Sequence, residues 1–262
     1  MARHPAANLR RPIVTLLTDF GTRDFYVSAM KAVLLRYCDD ARLIDITHDV
    51  PRHDILCGSI TLERAIDGFP PGTVHLAVVD PGVGTDRRIL IAELKDQTIV
   101  CPDNGLITWP IRRLGPAKTY NLTWRPEKAP SHTFHGRDIM APAAGMLAAG
   151  RKILDLAEPI DDPILLDVAP ARPRAQTACV IHIDQFGNAT TNVGHEALAA
   201  FSNKIIRVRN QTVGKLRRTY WDVAPGKPLA LVGSSGLLEI AVRDGSAAKS
   251  LKIKVGDEVS VQ

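Results

Sequence analysis

Residues 74–88 read VHLAVVDPGVGTDRR. A short apolar run at 74–79 ends in a carboxylate, Asp80; a Pro-Gly-Val-Gly turn follows at once, and paired arginines stand at Arg87 and Arg88. A run of this kind bounded by turn residues predicts a buried strand. In an open α/β sheet, ligands bind beyond the carboxyl ends of the strands. The segment therefore predicts an acid and a hydrogen-bonding cation at the reactive edge of a sheet. Its glycines, lacking Cβ, let backbone approach a ligand closely. The plainer alternative is a strand, a turn and two surface arginines.

Working outward, residues 12–18 (PIVTLLT), 41–46, 89–94 and 98–101 read as further strands. Residues 24–36, 54–66 and 136–149 read as helices. Asp54 is placed to cap the second helix, with Ile55, Ser59, Leu62 and Ile66 near one face. Pro142 should kink the third helix or mark its first turn. Strands alternating with helices predict a parallel or mixed, Rossmann-like α/β sheet. The pattern changes after about residue 156. Two proline-bearing stretches, 161–163 (DDP) and 170–173 (PARP), punctuate a linker. Short β-branched runs follow at 179–183, 205–208, 229–232, 239–242 and 251–255, separated by Gly, Asn and Asp, as in a small β domain or barrel. The expectation is an N-terminal α/β domain over residues 1–165 and a smaller C-terminal β-barrel domain over 174–262.

Composition narrows the function classes. The 262 residues carry 33 Lys and Arg against 28 Asp and Glu, a formal net charge of +5. The basic residues are spread out apart from small groups at 10–11, 172 with 174, and 215–218, and six Phe and four Tyr offer little to stack bases. Nucleic-acid binders usually show a basic stripe or patch, so nucleic acid is disfavoured as a partner. Cys38, Cys57, Cys101 and Cys179 are far apart with no C-x-x-C pair, which fits free thiols rather than a zinc ribbon or disulfide framework. The opening MARHPAANLRRP has arginines but no apolar core, unlike a secretory signal. No apolar run approaches the ~18 residues of a membrane helix. A cytoplasmic protein with no membrane partner is expected.

Several further groups are candidates for chemistry. Asp19, in TDFG directly after the first strand, is placed to accept two hydrogen bonds from a ribose diol; it is equally placed to serve a turn or cap. His135, in TFHGRD just before a predicted helix, sits where the helix dipole disfavours imidazolium and keeps the ring neutral. With Asp80 and Arg87 at one sheet edge it makes a candidate water-binding triad. In DITHDVPRHD, His48, Asp49, His53 and Asp54 are acceptable metal ligands, but the histidines straddle Pro51 and share no helix face; the structural alternative is a braced turn followed by a cap. In IDQFGNATTN, Asp184 is suited to an ammonium, Phe186 to a purine face and Asn188 to the edge of adenine. Ser234 and Ser235 place two hydroxyls in a turn, GSSG, beside an apolar strand. Hairpin turns account equally well for these last groups.

Taken in order, TDFG, DITHDV, VVDPGVGT-x-R, PDNGL, FHGRD, D-x-FGN-x-x-TN and GSSG-x-LEIA resemble the S-adenosyl-L-methionine hydroxide adenosyltransferases, relatives of the bacterial fluorinase and chlorinase. The resemblance runs from about residue 12 to residue 248. It implies an α/β domain followed by a β-barrel domain, and a homotrimer with active sites at subunit interfaces. It also implies a reaction of S-adenosylmethionine with water, without cofactor or metal, giving adenosine and L-methionine. Within it Asp80, Arg87 and His135 fall on the catalytic positions, Asp19 on the ribose-binding acid, and Asp184, Phe186, Asn188, Ser234 and Ser235 on substrate contacts. Two features separate the chain from the halogenases: the carboxylate Asp80, which would repel a halide, and the short stretch 85–102, which leaves no room for the fluorinase's extra loop. Ser246 in GSAA departs from the family's usual Asn. The alternatives of other classes are a halogenase, a non-catalytic S-adenosylmethionine-binding protein, and a metal-dependent hydrolase built on His48 and His53.

Overall fold

The computed structural model describes residues 11–167, 178–198 and 204–261. The chain divides into two compact units, Met1–Leu166 and Asp167–Gln262. The expected linker residues 170–173, the expected domain start at 174 and the N-terminal segment 1–10 lie outside the described residues.

The first unit contains, in order, β1 (Ile13–Thr18), α1 (Tyr26–Tyr37), β2 (Arg42–Thr47), α2 (Ile55–Ile66), β3 (Val74–Val78), β4 (Ile89–Leu94), β5 (Gln97–Pro102), α3 (Thr108–Leu114), β6 (Lys118–Leu122), α4 (Ala141–Ala148) and β7 (Ala157–Ile160). The seven strands form one sheet in the order β2-β1-β3-β5-β4-β6-β7. Pairing is parallel from β2 to β5 and antiparallel from β5 to β7, so the sheet is mixed. β3 is buried along its whole length, which is why it reads as a nearly continuous apolar run rather than an alternation. Adjacent residues serve opposite faces. Leu16 and Leu76 join Met30, Leu34 and Met140 in a cluster under α1 and α4; Leu17 and Ala77 join Leu62, Ile66 and Ile107 on the side of α2 and α3.

The order β2-β1-β3 makes β1 the point where the chain reverses its direction across the sheet. α1 carries the chain from β1 to β2, and α2 carries it back over β1 to β3. In such sheets the crevice at the carboxyl ends beside the reversal is the natural binding position. Asp19 follows β1, and Asp80 lies two residues beyond β3.

One local expectation changed and others held. Residues 136–149 are not one α-helix: Gly136–Met140 form a π-helical turn and α4 begins at Ala141, with Pro142 in its first turn. There the missing N–H of proline leaves no bond unmade. Asp54 caps α2 by accepting from Cys57 N at 2.8 Å. Ser59 is buried on the apolar face of α2 because its hydroxyl accepts from Trp109 N at 2.9 Å, tying α3 to α2. The four cysteines are free. Burial pushes the Cys38 thiol up to about 11, with Asp40 adding to the shift.

The second unit contains β8 (Ala178–Ile183), β9 (Ala189–Gly194), α5 (His195–Leu198), β10 (Ile206–Val208), β11 (Gln211–Gly214), β12 (Leu216–Arg217), β13 (Pro228–Val232), β14 (Leu237–Val242), α6 (Ala247–Ser250) and β15 (Glu258–Val261). Its eight-stranded sheet, β11-β10-β15-β8-β9-β14-β13-β12, curls into a nearly closed barrel around Val180, Val193, Ile206, Ala230, Leu238 and Ile240, with β11 against β13. The strand expected at 251–255 is absent. Lys252 is left-handed (φ 52°) and Ile253 N donates back to Ala248 O at 3.0 Å, so these residues close α6 and the strand starts at Glu258. No helix among the described residues is long and apolar enough to cross a membrane.

One polar chain crosses the core of the first unit. Gln97 Nε2 donates to Ile66 O and Phe69 O at 3.1 and 3.0 Å, so its Oε1 is the acceptor for His75 Nε2–H at 2.5 Å. His75 Nδ1 is then left to accept from the Thr15 hydroxyl, 2.7 Å away. Thr15 and His75 are register partners on β1 and β3. Burial holds the His75 pKa below the ordinary imidazole value. Thr15→Val keeps the side chain's size and removes its only donor, stranding a buried ring nitrogen. Chemical denaturation near neutral pH is expected to show a loss of about 1–3 kcal/mol.

Candidate active site

The turn after β3 is built to bring Arg87 back onto Asp80. Val83 N donates to Asp80 O at 3.3 Å, and Thr85 bonds Gly82 O through both its N–H (3.2 Å) and its hydroxyl (2.8 Å). The Thr85 hydroxyl also accepts from Arg87 N at 3.4 Å. Arg87 Nε then lies 2.7 and 2.9 Å from the two Asp80 oxygens, and its Nη2 donates to Asp80 Oδ2. The pair is largely withdrawn from water: 4% of the Asp80 side chain and 10% of that of Arg87 is exposed. A buried carboxylate of this kind is tolerable only with such a partner.

His135 completes the cluster. It is the residue from which the π-helical turn starts, and its Nδ1 lies 3.4 Å from Arg87 Nη2. Arginine can only donate, so Nδ1 is the acceptor and the ring proton sits on Nε2. Burial, and next the positive charge of Arg87, hold the His135 pKa below its ordinary value; Asp80 opposes them. The ring is therefore neutral at physiological pH, as its place at a helix start suggests.

Aromatic packing brings the segment after β1 to the same edge. Phe20 stands edge-on to Phe134 at 6.0 Å and to Tyr26 at 5.9 Å, so the phenylalanines of TDFG and TFHGRD pack together. Asp19 itself lines a pocket of about 440 Å³ with Phe20, Gly21, Arg23, His48 and Arg52, a hollow that Asp80, Arg87 and His135 do not line. Asp19 Oδ2 accepts from His53 N at 2.9 Å. His48 is a brace: its Nδ1 pairs with the Thr18 hydroxyl at 2.9 Å and its Nε2 lies 3.1 Å from Asp45 Oδ1. The exposed His53 does not join it, and no group of three or more His, Cys, Asp or Glu among the described residues is arranged to hold a metal.

One glycine of the Asp80 turn has a different partner from the one anticipated. Gly84 is left-handed (φ 85°), and a Cβ there would collide with the His132 carbonyl oxygen. Its close approach is to the backbone that leads into His135, not to an open ligand space.

In the second unit Asp184 organises its own turn. Its Oδ1 accepts from Phe186 N (2.9 Å) and Asn188 N (2.8 Å), and its Oδ2 from Asn188 Nδ2 (3.1 Å). Phe186 is thereby held outward, 68% exposed. Phe186 and Asn188 line a hollow of about 420 Å³ with Tyr220, Trp221 and Arg243. Those three were missed from sequence, although the paired aromatics of TYWD were the available signal. The Arg243 guanidinium lies 3.9 Å from the Trp221 ring centre, and Tyr220 donates to Glu239 at 2.6 Å. Ser234 and Ser235 form the β13–β14 turn, closed by Gly233 N to Leu237 O at 2.9 Å, and do not line that hollow. Ser246 caps α6 through Lys249 N at 3.2 Å and packs against Gly187.

Family models for the SAM hydroxide adenosyltransferase N-terminal and C-terminal domains match residues 14–157 and 178–260. The chain belongs to the SAM hydroxide adenosyltransferase family. Among the relatives of this adenosyltransferase-family chain, the (R)-S-adenosyl-L-methionine hydrolase of Salinispora tropica is 38% identical over 258 residues, 95% of this chain and 97% of that protein. The hydrolase of the same name from Thermus thermophilus is 39% identical over 255 residues, 94% and 97% of the two chains. A fluorinase from Nocardia brasiliensis is 25% identical, covering 97% of this chain and 98% of its own, in an alignment of 295 positions. That exceeds the 262 residues available here, so the fluorinase carries residues with no counterpart. The crystal structure of an uncharacterized conserved protein from Thermotoga maritima superposes with a TM-score of 0.88 at 35% identity, over 95% of this chain and all of that one. Between the Asp80 turn and the PDNG turn this family member has only β4, β5 and a two-residue connection, Lys95 and Asp96, both left-handed.

Gly84→Ala should leave the fold largely intact and separate the Asp80 turn from the His132–His135 segment. Turnover is expected to fall by about 10²-fold, the scale of a roughly 1 Å misplacement, in a steady-state assay alongside a melting curve.

Proposed function

We propose that this protein hydrolyses S-adenosyl-L-methionine by attack of water at the ribose C5′, giving adenosine and L-methionine. The observation that carries this reading is the withdrawn Asp80–Arg87 pair with a neutral His135 beside it, at the carboxyl edge of the sheet. Membership of the adenosyltransferase family supports it, as does the name carried by relatives 38–39% identical over nearly their whole length. A halogenase reading is disfavoured by Asp80, since a carboxylate repels a halide, and by the tight β4–β5 connection.

In the proposed mechanism, Asp80 and the Nε2–H of His135 hold one water in line with the C5′–S bond. Oxygen bonds to C5′ as the C5′–S bond breaks, and its electron pair passes to sulfur, which leaves as the neutral thioether of methionine. The water proton goes to Asp80 and then to solvent. Arg87 keeps the carboxylate aimed. Positioning of this kind supplies up to about 7–11 kcal/mol of the barrier, and the proton acceptor typically adds about 10²–10⁴-fold. Asp19 binds the ribose diol. Phe186 faces the purine, Asn188 its edge, Asp184 the ammonium, and Ser234 with Ser235 the methionine end. The reading includes a cytoplasmic homotrimer with active sites at subunit interfaces, and requires neither metal nor cofactor.

Incubation with S-adenosylmethionine in halide-free ¹⁸O-water, followed by mass spectrometry, should give labelled adenosine and unlabelled methionine; unchanged substrate with folded protein would sink the reading. Asp80→Ala and His135→Ala are each expected to lower kcat by at least about 10²-fold, with calorimetric substrate affinity nearly kept. Because the His135 pKa lies below the ordinary imidazole value of 6.5, the ring keeps its neutral form to lower pH than a free imidazole. The acid limb of kcat is expected below that value, since activity is lost only as the ring takes a proton; a limb above it would contradict a neutral His135.

A further inference from the structure

The PDNG turn, residues 102–105, follows β5, and its side-chain bonds run to the chain neighbours of the proposed catalytic pair. Asn104 Nδ2 donates to Val79 O at 2.8 Å, and Val79 immediately precedes Asp80. Asp103 Oδ2 accepts from Arg88 Nε at 2.8 Å, and Arg88 immediately follows Arg87. Asp103 N also donates to Arg88 O at 3.0 Å. Two adjacent residues of one turn thus grip both ends of the loop that runs from Asp80 to Arg87. Consecutive side chains of an extended segment point to opposite sides, so drawing Arg88 onto Asp103 turns Arg87 toward Asp80.

The turn is itself fastened. The Asp103 side chain is 1% exposed, and its second oxygen accepts from Ile164 N at 2.8 Å. Arg88 reaches on to Asp162 through Nη1 (2.7 Å, to the carboxylate) and Nη2 (2.8 Å, to the carbonyl). Leu166 N donates to the Thr108 hydroxyl at 2.8 Å. Gly105 is left-handed (φ 99°), and a Cβ there would press into Leu166. Residues 162–166 therefore lie as a strap across the PDNG turn.

We propose that Asp103 and Asn104 are positioning residues of the active site, acting through Arg88 and Val79 to set how Arg87 faces Asp80, with residues 162–166 holding them in place. The proposal rests on Asp80 and Arg87 being the catalytic pair. A merely structural role for the turn would affect stability and leave the pair's electrostatics alone.

The test uses the full-length protein with Asp103→Asn, which removes the charge that holds Arg88, and Asn104→Asp, which replaces the donor to Val79. Both keep side-chain size; Arg88→Lys, which keeps the charge and loses the fork, stands in for either if it does not fold. Each variant is measured for S-adenosylmethionine turnover and for the His135 imidazole titration by NMR. The expected result is a fall in kcat of about 10–10²-fold with KM within about threefold, together with a shifted His135 midpoint, upward in Asp103→Asn as the Arg87 charge moves off. An unmoved His135 titration overturns the proposal whatever happens to the melting temperature, and so does a moved titration with kcat unchanged. Wild-type protein that does not hydrolyse S-adenosylmethionine would fail the functional reading, while the titration would still report on the positioning.

Discussion

The ion pair between Asp80 and Arg87 is the constraint to which the other features of the candidate site answer. A carboxylate withdrawn from water at the end of a buried strand costs several kcal/mol unless a cation meets it. Here the cation arrives from seven residues further along the same chain, which the loop permits only by doubling back. Gly84 accepts a left-handed conformation so that the loop can lie against the His132 carbonyl, and that contact brings His135 within reach of the guanidinium. The charge that meets Asp80 adds to burial in holding the imidazole pKa below its ordinary value. One pairing therefore reaches both the carboxylate and the imidazole of the site.

Much of this was legible in the sequence because the decisive features are local. A buried parallel strand announces itself as an apolar run, a capped helix by Asp54, a reactive edge by an acid directly after a strand. The seven ordered motifs identified the family. What escaped was non-local or conformational. Nothing in GRDIM states that the helix opens with a π-helical turn, since the alternative is a few tenths of a turn away in the same residues. The run at 251–255 has the composition of a strand, but Ile253 bonds back to Ala248, and the backbone closes a helix instead. Ser59 looked like part of an apolar face; it is there for its hydroxyl, whose partner lies fifty residues on in Trp109.

The site residues divide in the same way. Asp80 and Arg87 come together within one motif whose turn doubles back, and His135 joins them from the segment that Gly84 lies against; packing between Phe20 and Phe134 aligns that segment with the one bearing Asp19. Asp184 is different. A carboxylate beside an aromatic suggests a ligand, yet the structure spends three hydrogen bonds of that carboxylate on its own turn, so its first task is to hold Phe186 out. For Tyr220, Trp221 and Arg243 the paired aromatics of TYWD were a signal, but their meeting with Phe186 and Asn188 shows only in the fold, because the hollow is assembled from turns distant in sequence.

The wide turn at Gly136–Met140 fits one more residue into its circuit than an α-helical turn would. Each residue advances an α-helix by about 100°. Because the extra residue shares one circuit, each residue of this turn advances by less than that angle, and His135 leaves α4 at a different phase from the one a regular helix of the same residues would give it. The imidazole's place is therefore recorded in the winding of the backbone as well as in the identity of its residues: the same residues wound as a regular α-helix would carry His135 away from Arg87.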